Sequence, residues 1–159
     1  MQPWRRLTKP PLAAYTVSDR DPVTRRGRVL GLDHGSARVG VAVSDALRIT
    51  AQPLEVVARP RAIARIAEIV AEYEIKEIVV GLPTSLNGTE GPPASAARAF
   101  GGEIAQATGI DVTYVDERFT TVTAEKVMLE AGAKRRVRRD SLDKVAAAII
   151  LQAFLDRPL

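Results

Sequence analysis

Three short apolar runs follow one another across narrow gaps: Val29-Leu30-Gly31-Leu32, Val39-Gly40-Val41-Ala42-Val43 and Leu54-Glu55-Val56-Val57. Nothing else in the chain constrains its fold as strongly. Parallel neighbours need a crossover of a dozen or more residues, so strands this close pair as antiparallel hairpins. The first gap, His34-Gly35-Ser36-Ala37-Arg38, has turn chemistry. After the third run the period changes. Ile63, Ile66, Ala67 and Val70 recur at helical spacing within 61–73. Glu77-Ile78-Val79-Val80-Gly81 reads as a buried strand halted by Leu82-Pro83, and a Gly- and Pro-rich loop runs on to Pro93. Helical pattern over 94–108 closes at Gly109. Asp111-Val112-Thr113-Tyr114-Val115 is a strand running into Asp116-Glu117-Arg118. Helices are predicted over 123–131, ended by Gly132, and over 141–156, with Asp140 or Ser141 as cap. The order β-β-β-α-β-α-β-α-α predicts an α/β fold: a mixed five-stranded sheet, strands one to three antiparallel, strands one, four and five parallel, helices on both faces.

That topology puts the carboxyl ends of strands one and five on one edge, where open α/β sheets bind ligands. Both ends carry acids: Asp33 on the first, Asp116 and Glu117 on the fifth. Carboxylates after strands are common turn residues, and either alone would mean little. The last helix supplies a third. Leu142, Val145, Ala146, Ile149, Ile150, Ala153 and Phe154 form its apolar stripe. At about 100° per residue, Asp143 lies roughly 80° from the stripe's centre, at the margin of the buried face. Two carboxylates about 4 Å apart repel by about 4 kcal/mol at an effective dielectric of 20. Three together need neutralising, and Mg²⁺ or Mn²⁺, as one ion or two, does so through hard oxygen ligands. Asp33, Glu117 and Asp143 are therefore the candidate catalytic and metal-ligating residues, for metal-assisted hydrolysis of a phosphodiester. His34 would point away from Asp33 and reads as a turn residue rather than a catalyst. Asp45 reads as a strand terminator.

Positive charge must hold such a substrate. Residues 1–28 hold seven basic and two acidic residues, net +5, while the remainder holds 16 basic and 17 acidic, net −1. The overall charge of +4 is thus a property of the N-terminal segment. Residues 1–26, rich in Pro, Arg and Thr, are predicted to be a flexible basic extension preceding a domain over 27–159. Within the domain, Lys134, Arg135, Arg136, Arg138 and Arg139 crowd into one run before the last helix. That run, Arg38 in the first hairpin and Arg118 beside Glu117 are candidate phosphate contacts. The bland alternatives are a solvated loop for the run and a salt bridge within the Asp-Glu-Arg turn for Arg118. There is no cysteine, which excludes disulfides and thiolate metal sites. No apolar run spans a membrane and the first residues lack a signal-peptide core, so the expected location is the cytoplasm. Asn87-Gly88-Thr89 then reads only as a turn.

With these residues in place, the chain resembles the YqgF (RuvX) family of Holliday junction resolvase-like and pre-16S rRNA nuclease proteins. The matching segments are Gly31 to Asp45, Glu77 to Pro83 with Asn87 to Glu90, Asp116-Glu117-Arg118 with Thr120-Thr121, and Asp143 to Leu151. They cover about residues 28–156. The resemblance implies a ribonuclease H-like fold and catalytic roles for Asp33, Glu117 and Asp143. It also places Gly81-Leu82-Pro83 where related resolvases carry an acid. Either Glu117 supplies that ligand from the neighbouring strand, or one metal binds firmly and a second only with substrate. The implied substrates are structured RNA such as pre-16S rRNA, or a four-way DNA junction. Symmetric junction cleavage needs at least a transient homodimer, whereas trimming one RNA end needs a monomer.

Two other classes fit parts of the pattern. Asp33-x-Gly35-Ser36 resembles the first phosphate loop of sugar-kinase-like ATPases, which close two lobes over ATP; this chain has residues for one. A non-catalytic nucleic-acid-binding module is the other, and the presence of all three acids argues against it.

Overall fold

The computed structural model describes residues 27–119 and 139–158. The predicted extension 1–26, the helix over 123–131 and the basic residues Lys134, Arg135, Arg136 and Arg138 lie outside the described residues. Arg139 is described in its backbone only, as the first residue of the last helix.

The strands are β1 (Arg28–His34), β2 (Arg38–Ser44), β3 (Ala51–Ala58), β4 (Ile75–Leu82) and β5 (Val112–Asp116). The helices are α1 (Ala62–Glu72), α2 (Pro92–Thr108) and α3 (Arg139–Leu155). They form one sheet in the order β3-β2-β1-β4-β5. β1 and β2 pair antiparallel, as do β2 and β3, while β1–β4 and β4–β5 pair parallel. The mixed five-stranded sheet expected from the sequence is therefore the one observed.

Alternation along the strands divides the apolar residues into two cores. Leu30, Leu32, Val41, Ile78 and Val80 point to one face, where Ile66, Ile69, Phe100 and Ile104 of α1 and α2 cover them. Val29, Ala42 and Val79 point to the other, beneath Ala147, Ile150, Leu151 and Phe154 of α3. Helices thus lie on both faces, as predicted. α3 sits close because the sheet beneath it is shaved. A Cβ on Gly31 would come 2.6 Å from Leu151 Cβ, and one on Gly40 would strike the backbone carbonyl of Asp143.

Several element ends differ from the sequence reading. β1 continues past Asp33 to His34, one residue beyond the expected strand end. His34 is thus the last strand residue rather than a turn residue, and its ring packs at a tilt against Phe100 at 4.8 Å between centroids. β3 begins at Ala51, earlier than expected, because an edge strand tolerates exposed Gln52 and Pro53. β4 likewise begins earlier, at Ile75, and β5 spans Val112–Asp116 rather than starting at Asp111. α2 begins at Pro92, since proline suits the first helical turn, where its missing N–H is not needed. α3 begins at Arg139, so Asp140 and Ser141 lie within the helix rather than before it. Two local readings hold. Asp45 ends β2, its carboxylate accepting the N–H groups of Leu47, Ile49 and Thr50 at 2.7–3.2 Å. Asn87-Gly88-Thr89 is a turn: Gly88 has φ 84° and Thr89 N donates to Asn87 Oδ1 at 3.1 Å.

Candidate active site

The carboxyl edge of the sheet gathers the β1–β2 turn, the end of β3, the loop after β4, the turn after β5 and the first turns of α3. Asp33 lies on the α3 face of β1, two residues beyond Gly31. Its antiparallel partner on β2 is Gly40, and Gly40 meets the backbone of Asp143 and Lys144. The start of α3 therefore rests on the residue beside Asp33. That contact explains why Asp143 joins an acid so distant in sequence.

Glu117 follows β5, in a single 3₁₀ turn, Glu117–Phe119. Its carboxylate does not project outward. It folds back over β4, into the space beside Gly81 and Ile150. Burial raises the Asp33 carboxyl to about 6, with the negative charge of Asp143 adding to the effect. Burial also raises Glu117 to about 7, with Asp33 and then Asp116 contributing repulsion. The like charges form a chain, Asp143 to Asp33 to Glu117, with Asp33 at its centre. An opposite charge at this point would favour the ionised forms of both raised acids.

The flanking cations are already engaged. Arg38 Nη2 lies 3.2 Å from Asp143 Oδ2. Arg118 binds Asp116 through both Nε and Nη2, at 2.6–3.1 Å, so the salt bridge within the Asp-Glu-Arg turn is present. Arg118 also reaches the Leu86 carbonyl at 3.4 Å. Thr84 Oγ1 donates to Asp116 Oδ1 at 2.7 Å. The Arg118 guanidinium, with these hydrogen bonds, holds Asp116 well below the usual carboxylate range. Asp116 is thus the fixed anion that ties the β5 turn to the β4 loop, and Glu117 is the strained one. On the opposite face, burial lowers the His34 imidazole, with help from the positive charge of Arg59.

Among the described residues, no three His, Cys, Asp or Glu side chains stand in an arrangement that could hold a metal ion without moving. Mutual repulsion and the pull of Arg38 on Asp143 both act to spread the acids. Sequence reasoning named Asp33, Glu117 and Asp143 but missed the two glycines that flank Asp33. It also missed the bond from Thr84 to Asp116. A glycine leaves no hydrophobic period, and the Thr84 bond crosses between loops. The signal available was a glycine inside each of two apolar strand patterns, which marks close approach by another group.

The family described as RuvX, Holliday junction resolvase, matches residues 27–157. A protein of Agathobacter rectalis, provisionally named a pre-16S rRNA nuclease, is 48% identical over 135 residues, covering 81% of this chain and 94% of that protein. One of Pelotomaculum thermopropionicum with the same provisional name is 49% identical over 133 residues, covering 81% and 86%. Among solved structures, Thermus thermophilus RuvC in complex with a Holliday junction substrate superposes with TM-score 0.55 at 20% identity, covering 81% of this chain and 93% of that one. The large terminase nuclease of phage G20c superposes with TM-score 0.50 at 15% identity, covering 79% and 81%. These likenesses establish the ribonuclease H-like fold, and with the family match over nearly all the described residues the chain belongs to the RuvX family.

Proposed function

We propose that this protein is a metal-dependent nuclease that hydrolyses phosphodiester bonds in structured nucleic acid, acting on the 5′ end of pre-16S rRNA. The observation that carries the reading is the coupled trio at the sheet edge. Asp33 and Glu117 are each pushed up by burial and by a neighbouring acid, a cost that an unoccupied edge does not need. The three carboxylates are hard oxygen donors of the kind Mg²⁺ and Mn²⁺ take, so the donor chemistry fits; Asp33, Glu117 and Asp143 would hold the ion. Bound there, it supplies charge neutralisation and Lewis-acid chemistry at the scissile phosphate. The chain's own residues do the rest. Asp33 would be positioned by its strand and Asp143 by the start of α3, and Arg38, 3.2 Å from Asp143, would supply positive charge to the phosphate. Arg118, tied to Asp116 and the Leu86 carbonyl, would add positive charge beside the backbone of the substrate. The basic run Lys134, Arg135, Arg136, Arg138 and Arg139 and the segment 1–26 extend the contact.

The relatives' provisional names favour rRNA. The family's description favours a second reading, cleavage of four-way DNA junctions by a homodimer. Among the described residues no helix is long and apolar enough to cross a membrane, and either substrate places the protein in the cytoplasm. The test compares cleavage of precursor 16S rRNA and of four-way junctions, in Mg²⁺ and in Mn²⁺, by wild type and Asp33→Asn. We expect RNA cleavage that Asp33→Asn lowers by orders of magnitude while substrate binding persists. Junction cleavage without RNA cleavage selects the second reading. Equal cleavage by Asp33→Asn removes Asp33 from the mechanism.

A further inference from the structure

Asp33 is flanked on both sides by glycine. Gly40 pairs with it on β2, and Gly81 stands on β4, one residue beyond Val80, the parallel partner of Leu32. Gly81 is buried in the strand between β1 and β5. A glycine there weakens the strand by roughly 0.5–1 kcal/mol relative to alanine. Its backbone does not demand it: the described glycines with positive φ are Gly88 and Gly109. Space does. A Cβ on Gly81 would lie 2.5 Å from Glu117 Oε1 and 2.5 Å from Ile150 Cδ1, closer than real Cβ atoms come to anything. Both side-chain ends would have to shift away.

Glu117 arises from β5, and β4 separates β5 from β1. The carboxylate can approach Asp33 only by crossing over β4. We propose that Gly81 is a positioning residue: by leaving the β4 side-chain site empty, it lets Glu117 fold back across the sheet and stand beside Asp33. The bare strand position is then a receptacle for a carboxylate delivered by its neighbour. This rests on the proposed function for its purpose, but not for its geometry. The competing explanation is that Gly81 merely makes room for Ile150 of α3.

The experiment begins on metal-free protein. The Glu117 side-chain carboxyl is followed by carbon-13 NMR across pH in wild type and Gly81→Ala. We expect its midpoint to fall from about 7 toward the ordinary glutamate range as the group is pushed into solvent. Mn²⁺ affinity, measured by calorimetry, and cleavage should each fall about 10–100-fold. In a Glu117→Ala background, adding Gly81→Ala should lower Mn²⁺ affinity and cleavage no further, because the residue acts on them through Glu117. Combining Gly81→Ala with Ile150→Val relieves only the clash with Ile150, and should restore neither metal affinity nor the Glu117 midpoint. That double variant also carries the comparison if Gly81→Ala alone does not fold. An unchanged Glu117 titration, recovery through Ile150→Val, or an equal loss on top of Glu117→Ala would each overturn the proposal. A wild type that neither binds Mn²⁺ nor cleaves sinks the nuclease reading instead, while the metal-free titration still decides the role of Gly81.

Discussion

At the scale of single residues, the site is a set of unequal acids. Asp116 is satisfied by Arg118 and Thr84, whereas Asp33 and Glu117 are held against their preference. A carboxyl raised by folding stabilises the protein only while protonated, below its unfolded value, and that stability is lost as pH rises through the folded value. For Asp33 the loss falls between about pH 4 and about pH 6. Asp33→Asn removes the ionisation altogether. In metal-free protein at pH 8 it should therefore raise stability by about 1–3 kcal/mol, and the advantage should shrink toward zero as pH falls to 4. Urea titrations of both proteins across that range give the difference directly. His34 shifts the other way, but it is common to both proteins and cancels. A variant no more stable than wild type at pH 8 would mean that Asp33 is not under electrostatic strain. Cleavage moves oppositely. On the proposed roles it needs both raised acids ionised, so at fixed low metal concentration it should fall as pH drops through about 7 and then about 6. A rate independent of pH over that interval would remove one of them from the reaction.

At the scale of elements, the seating of α3 governs the site. Gly40→Ala puts a methyl group against the Asp143 backbone, which cannot swing aside like a long side chain. Overpacking of this kind costs typically about 1–3 kcal/mol. We expect a lower Tm together with a larger loss of cleavage than the instability explains, because the displaced turn carries Asp143 away from Asp33. A Tm within experimental error of wild type would show that α3 is not seated there. Much of this architecture was legible in the sequence, and the reasons are specific. The hairpins showed because Val39 to Val43 and Val29 to Leu32 are apolar on both faces. α1 showed because Ile63, Ile66 and Val70 keep one period. The start of β3 was hidden because Gln52 and Pro53 are exposed on an edge. Asp33, Glu117 and Asp143 could be named because acids at strand ends and beside an apolar stripe stand out. That Glu117 turns inward, or that two glycines shape the space around Asp33, depends on pairing register between distant strands. No local pattern records that.

At the scale of the whole molecule, binding depends on how positive charge is spread around an acidic edge. Each phosphate contact contributes a log–log salt slope of roughly −0.7 to −0.9. Replacing Arg135, Arg136, Arg138 and Arg139 with Ala in an Asp33→Asn background should make the slope shallower by about 3 and weaken binding across sequences alike. Filter binding over a salt series measures it, with Tm checked in parallel, and an unchanged slope in a folded variant would reduce the run to a solvated loop. Deleting residues 1–26 should weaken non-specific binding and leave metal-dependent cleavage intact, since the family match begins at residue 27. The two cores have a further consequence, in time rather than space. The sheet with α1 and α2 contains Asp33 and Glu117, but Asp143 arrives only with α3, the final described element. During synthesis the proposed trio is therefore incomplete until α3 has been made. The RNA nearest a nascent chain is the ribosome that is making it, and acids proposed to act together from β1 and from α3 can do so only once both have folded onto the one sheet.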